Sequence, residues 1–359
     1  MILMMEDISD FVERGDFGSA LDLALRIKEP LPRLEALSYI YLYVEEAKYM
    51  EAVLGRMLET VDSLKEPLEK ARALALIGYT LLASGDSKGD YFFKKAYQLV
   101  KSIGPALWRA DGYGYLAYYM ALSGKYSDAF YYYNVSYESA ISSSEPYSRI
   151  LSFLYSLAQR IVESADKIRS PDAREFYELA AEIYENIRRN LSAQELRKKA
   201  SLIEAAIQMG SKVVSDFLER RDLESAVFVI KYLSEEEKVL ALLEVAYWLV
   251  LHDKKGLGNS LVEEAFRMVA ERKLQPDDES LRDIAFKFLK IGQIKDALTI
   301  AAIITNKEIA SQVFARVALA YARKGDKLKA VTVAEAISNE SVKKEVLKAI
   351  EGDKDVEHQ

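Results

Sequence analysis

Apolar positions in this chain recur first with the period of a helix and then with the period of a helical pair. In GDFGSALDLALRIKEPLPR (15–33), Gly15 is followed by Phe17, Ala20 and Ala24. The same order returns as Gly124, Tyr126, Ala129 and Tyr133, as Gly292, Ile294, Ala297 and Ala301, and as Gly325, Lys327, Ala330 and Ala334. Steps of three and four between core positions place one apolar stripe on a helix, and the glycine marks the turn before it. A helix–turn–helix unit repeated in tandem cannot bury its apolar face alone and has to stack on its neighbours. The pattern therefore predicts an all-α solenoid of about nine helical hairpins, A then B in each. Their turns fall near Gly15, Ala47, Gly85, Gly124, Ala165, Arg221, Asp253, Gly292 and Gly325, and a capping helix follows over 338–350.

Breakers and caps support the same division. Pro30, Pro67, Pro105 and Pro146 are 37, 38 and 41 residues apart, and each opens an A helix, where a missing N–H costs nothing. Arg33, Arg72, Arg109 and Arg149 follow within five residues of these prolines. Ser192 with Glu195, and Ser234 with Glu237, have the spacing of capping boxes. Two B helices, the third and the seventh, are expected to start late, because GDSKGD and DKKGLGN lengthen their turns. Between Ala165 and Arg221 the period fails over 56 residues. That interval holds a B helix (172–189), an extra helix (192–208) and a short helix after Gly210. Three segments are expected: an N-terminal block (1–165), an irregular helical connector (166–209) and a C-terminal block with its cap (210–359). The irregular interval reads either as an inserted helix or as a joint between two blocks.

Composition narrows the chemistry. Half of the 359 residues are apolar, and 16 Gly and 7 Pro stand against 29% charged residues, which excludes a low-complexity chain. With no cysteine there is no disulfide, thiolate nucleophile or cysteine metal site. The longest uncharged run, Gly112–Gly124, is short for a membrane span, and the start MILMMEDISDF lacks the plan of a signal peptide. A cytoplasmic, membrane-free protein is expected, with residue usage like that of a hyperthermophile. No HExxH, GxxxxGK[ST] or GxSxG occurs, and His252 reads as the end of an apolar helix. The expectation is a protein that is not an enzyme and has neither cofactor nor metal.

The chain resembles the tetratricopeptide-repeat family in the broad sense. Leu74, Ile77, Gly78, Leu81 and Gly85 fit the first half of the family motif in the third unit. Gly15, Phe17, Ala20, Ala24, Ile27 and Pro30 fit its second half in the first unit, and Phe314, Val317, Ala318, Tyr321, Gly325 and Ala330 fit the last. The early Trp of the motif is mostly replaced by Leu, Phe or Ala, and unit lengths run from about 33 to 41 residues. The resemblance implies a right-handed superhelix whose A helices line a concave face that docks peptides or partner proteins.

Two sets of aromatic residues are candidates for such contacts. Six residues before the turn stand Tyr41, Tyr79, Tyr118, Tyr247 and Phe286, a position that faces the groove in the family. Such rings offer a large apolar face, and the tyrosines a hydroxyl as well; packing between neighbouring A helices is the alternative. The stretch Tyr91–Tyr155 holds 13 of the 23 tyrosines, including Tyr131, Tyr132 and Tyr133, of which at least one has to be exposed on a helix. These are candidates for an interface, a homodimer included. The basic cluster Arg188, Arg189, Arg197, Lys198 and Lys199 sits among Glu182, Glu185, Glu195 and Glu204 and reads as a solvated face. With a net charge of −7, nucleic acid is not an expected partner. The sequence thus points to a scaffold for a peptide or protein partner. Its alternatives are a self-assembling protein with a Tyr-rich interface and a regulatory module contacting nucleic acid.

Overall fold

The computed structural model describes residues 2–352, all of whose regular elements are helices. His358 lies outside the described residues. Two compact units divide the chain, 1–201 and 202–359, and the boundary falls inside one helix. The segment 166–209 spans this boundary, its first part lying in the first unit and its last residues in the second.

The first unit holds five hairpins: α1 (Ile2–Glu13) with α2 (Phe17–Leu25), α3 (Pro30–Tyr43) with α4 (Ala47–Ser63), α5 (Pro67–Ala83) with α6 (Gly89–Ser102), α7 (Ala106–Leu122) with α8 (Tyr126–Ile141), and α9 (Tyr147–Lys167) with α10 (Ala173–Asn186). The helix α11 (Asn190–Met209) follows. The second unit holds four hairpins: α12 (Lys212–Glu219) with α13 (Leu223–Ile230), α14 (Glu235–Leu251) with α15 (Lys255–Arg272), α16 (Asp278–Lys290) with α17 (Ile294–Ala301), and α18 (Lys307–Arg323) with α19 (Lys327–Glu335). It ends on α20 (Glu340–Gly352). Within each unit an A helix packs on its own B helix and on the next A helix, as in α3 on α5 on α7 on α9 and in α12 on α14 on α16 on α18. The chain is thus an all-α helical-repeat solenoid. Its cap, α20, packs on α18 and α19 and buries Val346 and Ile350.

Seven of the nine hairpin turns share one backbone solution. A residue with φ between 61° and 86° ends the A helix at Gly15, Gly85, Gly124, Arg221, Asp253, Gly292 and Gly325. The next N–H then reaches back to a carbonyl five residues earlier, as Asp16 does to Phe11 at 2.9 Å and Asp222 to Phe217 at 2.9 Å. This left-handed ending satisfies carbonyls the helix would otherwise orphan, and it favours glycine. In three of these turns the following aspartate caps the B helix: Asp16 accepts from the Ser19 N–H, Asp222 from Ser225 and Asp326 from Lys329. The second and fifth turns instead leave their A helices through extended residues, Val44 and Ile168, so they need no glycine. The fifth turn accordingly lies at 168–172, a few residues beyond the expected Ala165.

Two expectations about helix starts change and one holds. α11 begins at Asn190, so Ser192 lies in its first turn and does not cap it. The box at Ser234 and Glu237 is present, with both reciprocal bonds. α15 starts two residues after Asp253, as α2 starts two after Gly15, so the seventh B helix is not late. In that unit Gly258 lies against the A helix, and its counterpart in α6 is Gly89. A Cβ at Gly89 would stand 2.4 Å from the Gly78 carbonyl oxygen, and one at Gly258 would stand 2.8 Å from that of Ala246.

Candidate functional site

In the first unit four successive A helices, α3, α5, α7 and α9, line an open groove of about 590 Å³. Its central feature is Tyr115. The Arg160 guanidinium lies over the ring at 3.7 Å and that of Arg72 at 4.4 Å. Each arginine is held by a carboxylate: Arg72 donates to Glu35 at 2.8 Å, and Arg160 donates through both terminal nitrogens to Asp111 at 3.0 and 3.1 Å. Arg72 also donates to the Tyr115 hydroxyl at 3.2 Å. Planar guanidinium groups suit this use, because they stack on a ring with one face and spend their in-plane N–H groups on carboxylates. Gly114 leaves room for the clasp: a Cβ there would fall 2.6 Å from an Arg160 terminal nitrogen.

A second cluster lies further along the same face. The Tyr118 hydroxyl donates to Glu163 at 2.5 Å, and Lys167 reaches both groups, at 2.9 and 2.6 Å. Burial and the Glu163 carboxylate push the Tyr118 phenol far above its usual range. Burial works against the Glu163 charge, but hydrogen bonds from Lys167 and Tyr118 outweigh it and hold this carboxyl below its usual range. Tyr79 stacks on Tyr119 with ring centroids 6.2 Å apart.

The five aromatic positions expected on the A face do not share one environment. Tyr79 and Tyr118 are half-buried and line the groove just described. Tyr247 is half-buried in a smaller groove of the second unit, beside the Glu244–Lys287 ion pair of 2.7 Å. Phe286 lines a third groove, between α16 and α18, under the Arg316 guanidinium at 3.8 Å. Tyr41 is a correction: only 5% exposed, it is part of the core, where burial raises its phenol. Tyr39 and Leu42 take up the groove lining from α3 instead.

The three consecutive tyrosines of α8 separate as a helix requires. Tyr131 is 62% exposed and Tyr132 is half-buried. Tyr133 is fully buried, its hydroxyl 2.7 Å from that of Ser164, so it belongs to the core and to no surface. Tyr132 stacks nearly parallel on Tyr113 at 5.9 Å and touches Tyr97 at 5.7 Å. The basic cluster is partly neutralised across helices: Arg197 forms a two-pronged pair with Glu185, and Lys199 pairs with Asp166 at 3.0 Å. His252 ends α14, its Nδ1 donating to the Trp248 carbonyl at 2.8 Å while its ring stacks on the Trp248 indole at 3.9 Å.

The arginine clasp has a sequence signal that aromatic counting passes over. Arg72, Tyr115 and Arg160 are separated by 43 and 45 residues, close to the spacing of the A helices themselves. Arg33 and Arg109 lie three and four residues after their prolines, against five for Arg72, and they turn back to cap the preceding helices, at the carbonyls of Ile27 and Ile103. Among the described residues no group of three or more His, Asp or Glu is placed to hold a metal, and no helix is long and apolar enough to cross a membrane.

No family model matches the chain, and no curated protein matches it. Among solved structures, it is similar to Ton1535 from Thermococcus onnurineus NA1, with 21% identity and a TM-score of 0.59 over 97% of this chain and 99% of that one. At that identity the likeness speaks for the fold alone. A circular tandem repeat protein with novel repeat topology is matched at 14% identity and a TM-score of 0.23, over 97% of this chain and 87% of that one.

Proposed function

We propose that the chain is a non-catalytic scaffold that docks a peptide segment of a partner protein on its A-helix face, with the groove of the first unit as the main site. The observation that carries this reading is the groove lined from α3, α5, α7 and α9, where Tyr79 and Tyr118 stand beside the clasped Tyr115. Four helices in a row present side chains at regular intervals, which suits an extended segment. Half-buried aromatic rings supply contact area at low entropy cost, and the fixed Arg and Glu groups supply directional bonds. In the tetratricopeptide repeats that the sequence resembles, the corresponding face also docks peptides.

The test is affinity capture from cells of the native organism with the wild-type chain and with Tyr79→Ala/Tyr118→Ala, both checked for equal helicity. A protein retained by wild type and lost from the double variant is the expected result. Equal retention by both removes the groove from the reading. A second reading, self-association through α6 and α8, is favoured by the exposure of Tyr131 beside the Tyr97–Tyr113–Tyr132 stack. It predicts a concentration-dependent mass in sedimentation that Tyr131→Ala abolishes.

A further inference from the structure

The three A-face grooves treat their cations differently. In the first, Arg72 and Arg160 are each committed to a carboxylate, and in the second Lys287 is committed to Glu244 while Arg221 shares the lining with Glu219. In the third, between α16 and α18, the lining carries Lys290, Arg316 and Arg323 and no carboxylate. Its apolar floor is Phe286, Leu289 and Leu319, and its volume is about 460 Å³. A wall of three positive charges stands out on a chain whose net charge is −7.

Helix ends explain part of this. Lys290 and Arg323 sit in the last turns of α16 and α18, where a cation meets the negative end of the helix dipole. Arg316 is seven residues before the end of α18, out of reach of that effect. It is exposed, and its guanidinium face rests on the Phe286 ring at 3.8 Å. Stacking uses the face of a guanidinium and leaves its in-plane N–H donors to a carboxylate, which accepts them in pairs.

We infer that this groove binds an acidic peptide segment of a partner protein, with an apolar side chain on the Phe286 floor and its carboxylates on Arg316, Lys290 and Arg323. The inference rests on the A-face docking reading but assigns a separate site in the second unit, with its own ligand chemistry.

The test uses the full chain and a display library of random short peptides, selected in parallel on wild type, on Lys290→Gln/Arg316→Gln/Arg323→Gln and on Tyr79→Ala/Tyr118→Ala. Expected on wild type is enrichment of sequences that pair Asp or Glu with an apolar residue. The enrichment disappears with the triple variant and persists with the tyrosine variant. The most enriched peptide, made synthetically and labelled, then loses affinity by about tenfold or more on Arg316→Gln and on replacement of its acids by Asn and Gln. Its affinity also falls as salt rises. Enrichment of neutral sequences, no enrichment at all, or acidic sequences retained by the triple variant overturns the inference. So does a single-stranded oligonucleotide that outcompetes the peptide through the same three residues. Loss of acidic peptides from the tyrosine variant alone assigns them to the first groove and leaves the A-face reading standing without this site. Persistence here, together with equal capture by wild type and the tyrosine variant, means the reverse.

Discussion

Two residues carry conformational or electrostatic costs that a single substitution relieves. Arg221 ends α12 with φ at 61°, the place glycine holds in five other hairpin turns. A side chain there costs about 1–2 kcal/mol, partly offset by the entropy glycine loses on folding. Arg221→Gly should therefore stabilise the second unit by roughly 0.5–1 kcal/mol, read as a higher urea midpoint at unchanged slope. Asp296 is buried at the start of α17, and burial raises its carboxyl above the usual range, with Glu263 nearby adding to the shift. An acid with a raised folded-state pKa binds its proton more tightly folded than unfolded. Its contribution is most favourable below the unfolded pKa and is lost as pH rises through the folded one. Asp296→Asn should raise the melting temperature at neutral pH, by about 2–4 °C for each kcal/mol recovered, and the advantage should shrink in acid. A gain that is the same at pH 3 and pH 7 contradicts this account.

At the scale of elements, the closeness of an A helix to its B helix is set by one small residue. In α6 and α15 that residue is glycine, and a Cβ at either position runs into backbone carbonyl oxygen, which cannot rotate aside. Gly89→Ala and Gly258→Ala are expected to destabilise by about 1–3 kcal/mol despite alanine's better helix propensity, because the two helices must separate. Chemical denaturation of the two variants checks this; a gain in stability would show that the pairs relax freely. The same elements mark what the sequence discloses. Nine hairpins, an extra helix between them and a cap are legible, because glycine turns and the 3.6-residue apolar period are local signals. Tyr41 is not legible as a core residue, because burial depends on which neighbour covers a face; Tyr133 holds the core place of Ala24, Ala301 and Ala334 in the repeat pattern, and only its position in a run of three tyrosines suggests a surface. The clasp of Tyr115 escapes for a related reason: its partners lie 43 and 45 residues away, beyond any helical spacing.

At the scale of the molecule, stability in a repeat stack is a sum of intrinsic and nearest-neighbour terms. Tyr133 joins α8 to α9 through Ser164 and packs edge-on against Phe176 of α10. Tyr133→Ala should cost about 3–5 kcal/mol, as for a large aromatic lost from a core. Amide exchange should quicken most in α7 to α10 and least in α1 to α3. Uniform acceleration across residues 1–201 would indicate a unit that opens all at once.

The chain has two tryptophans, and they fall one to a unit. Trp108 is 52% exposed in the first turn of α7, within the tyrosine-rich stretch of the first unit. Trp248 lies face to face with the His252 imidazole in the second. The protein therefore carries two optical reporters with different photophysics. Trp108, open to water, should emit further to the red than Trp248, one face of whose indole is covered by an imidazole ring. Emission colour should therefore distinguish the two units in an unlabelled sample, so that their unfolding can be followed separately in one cuvette.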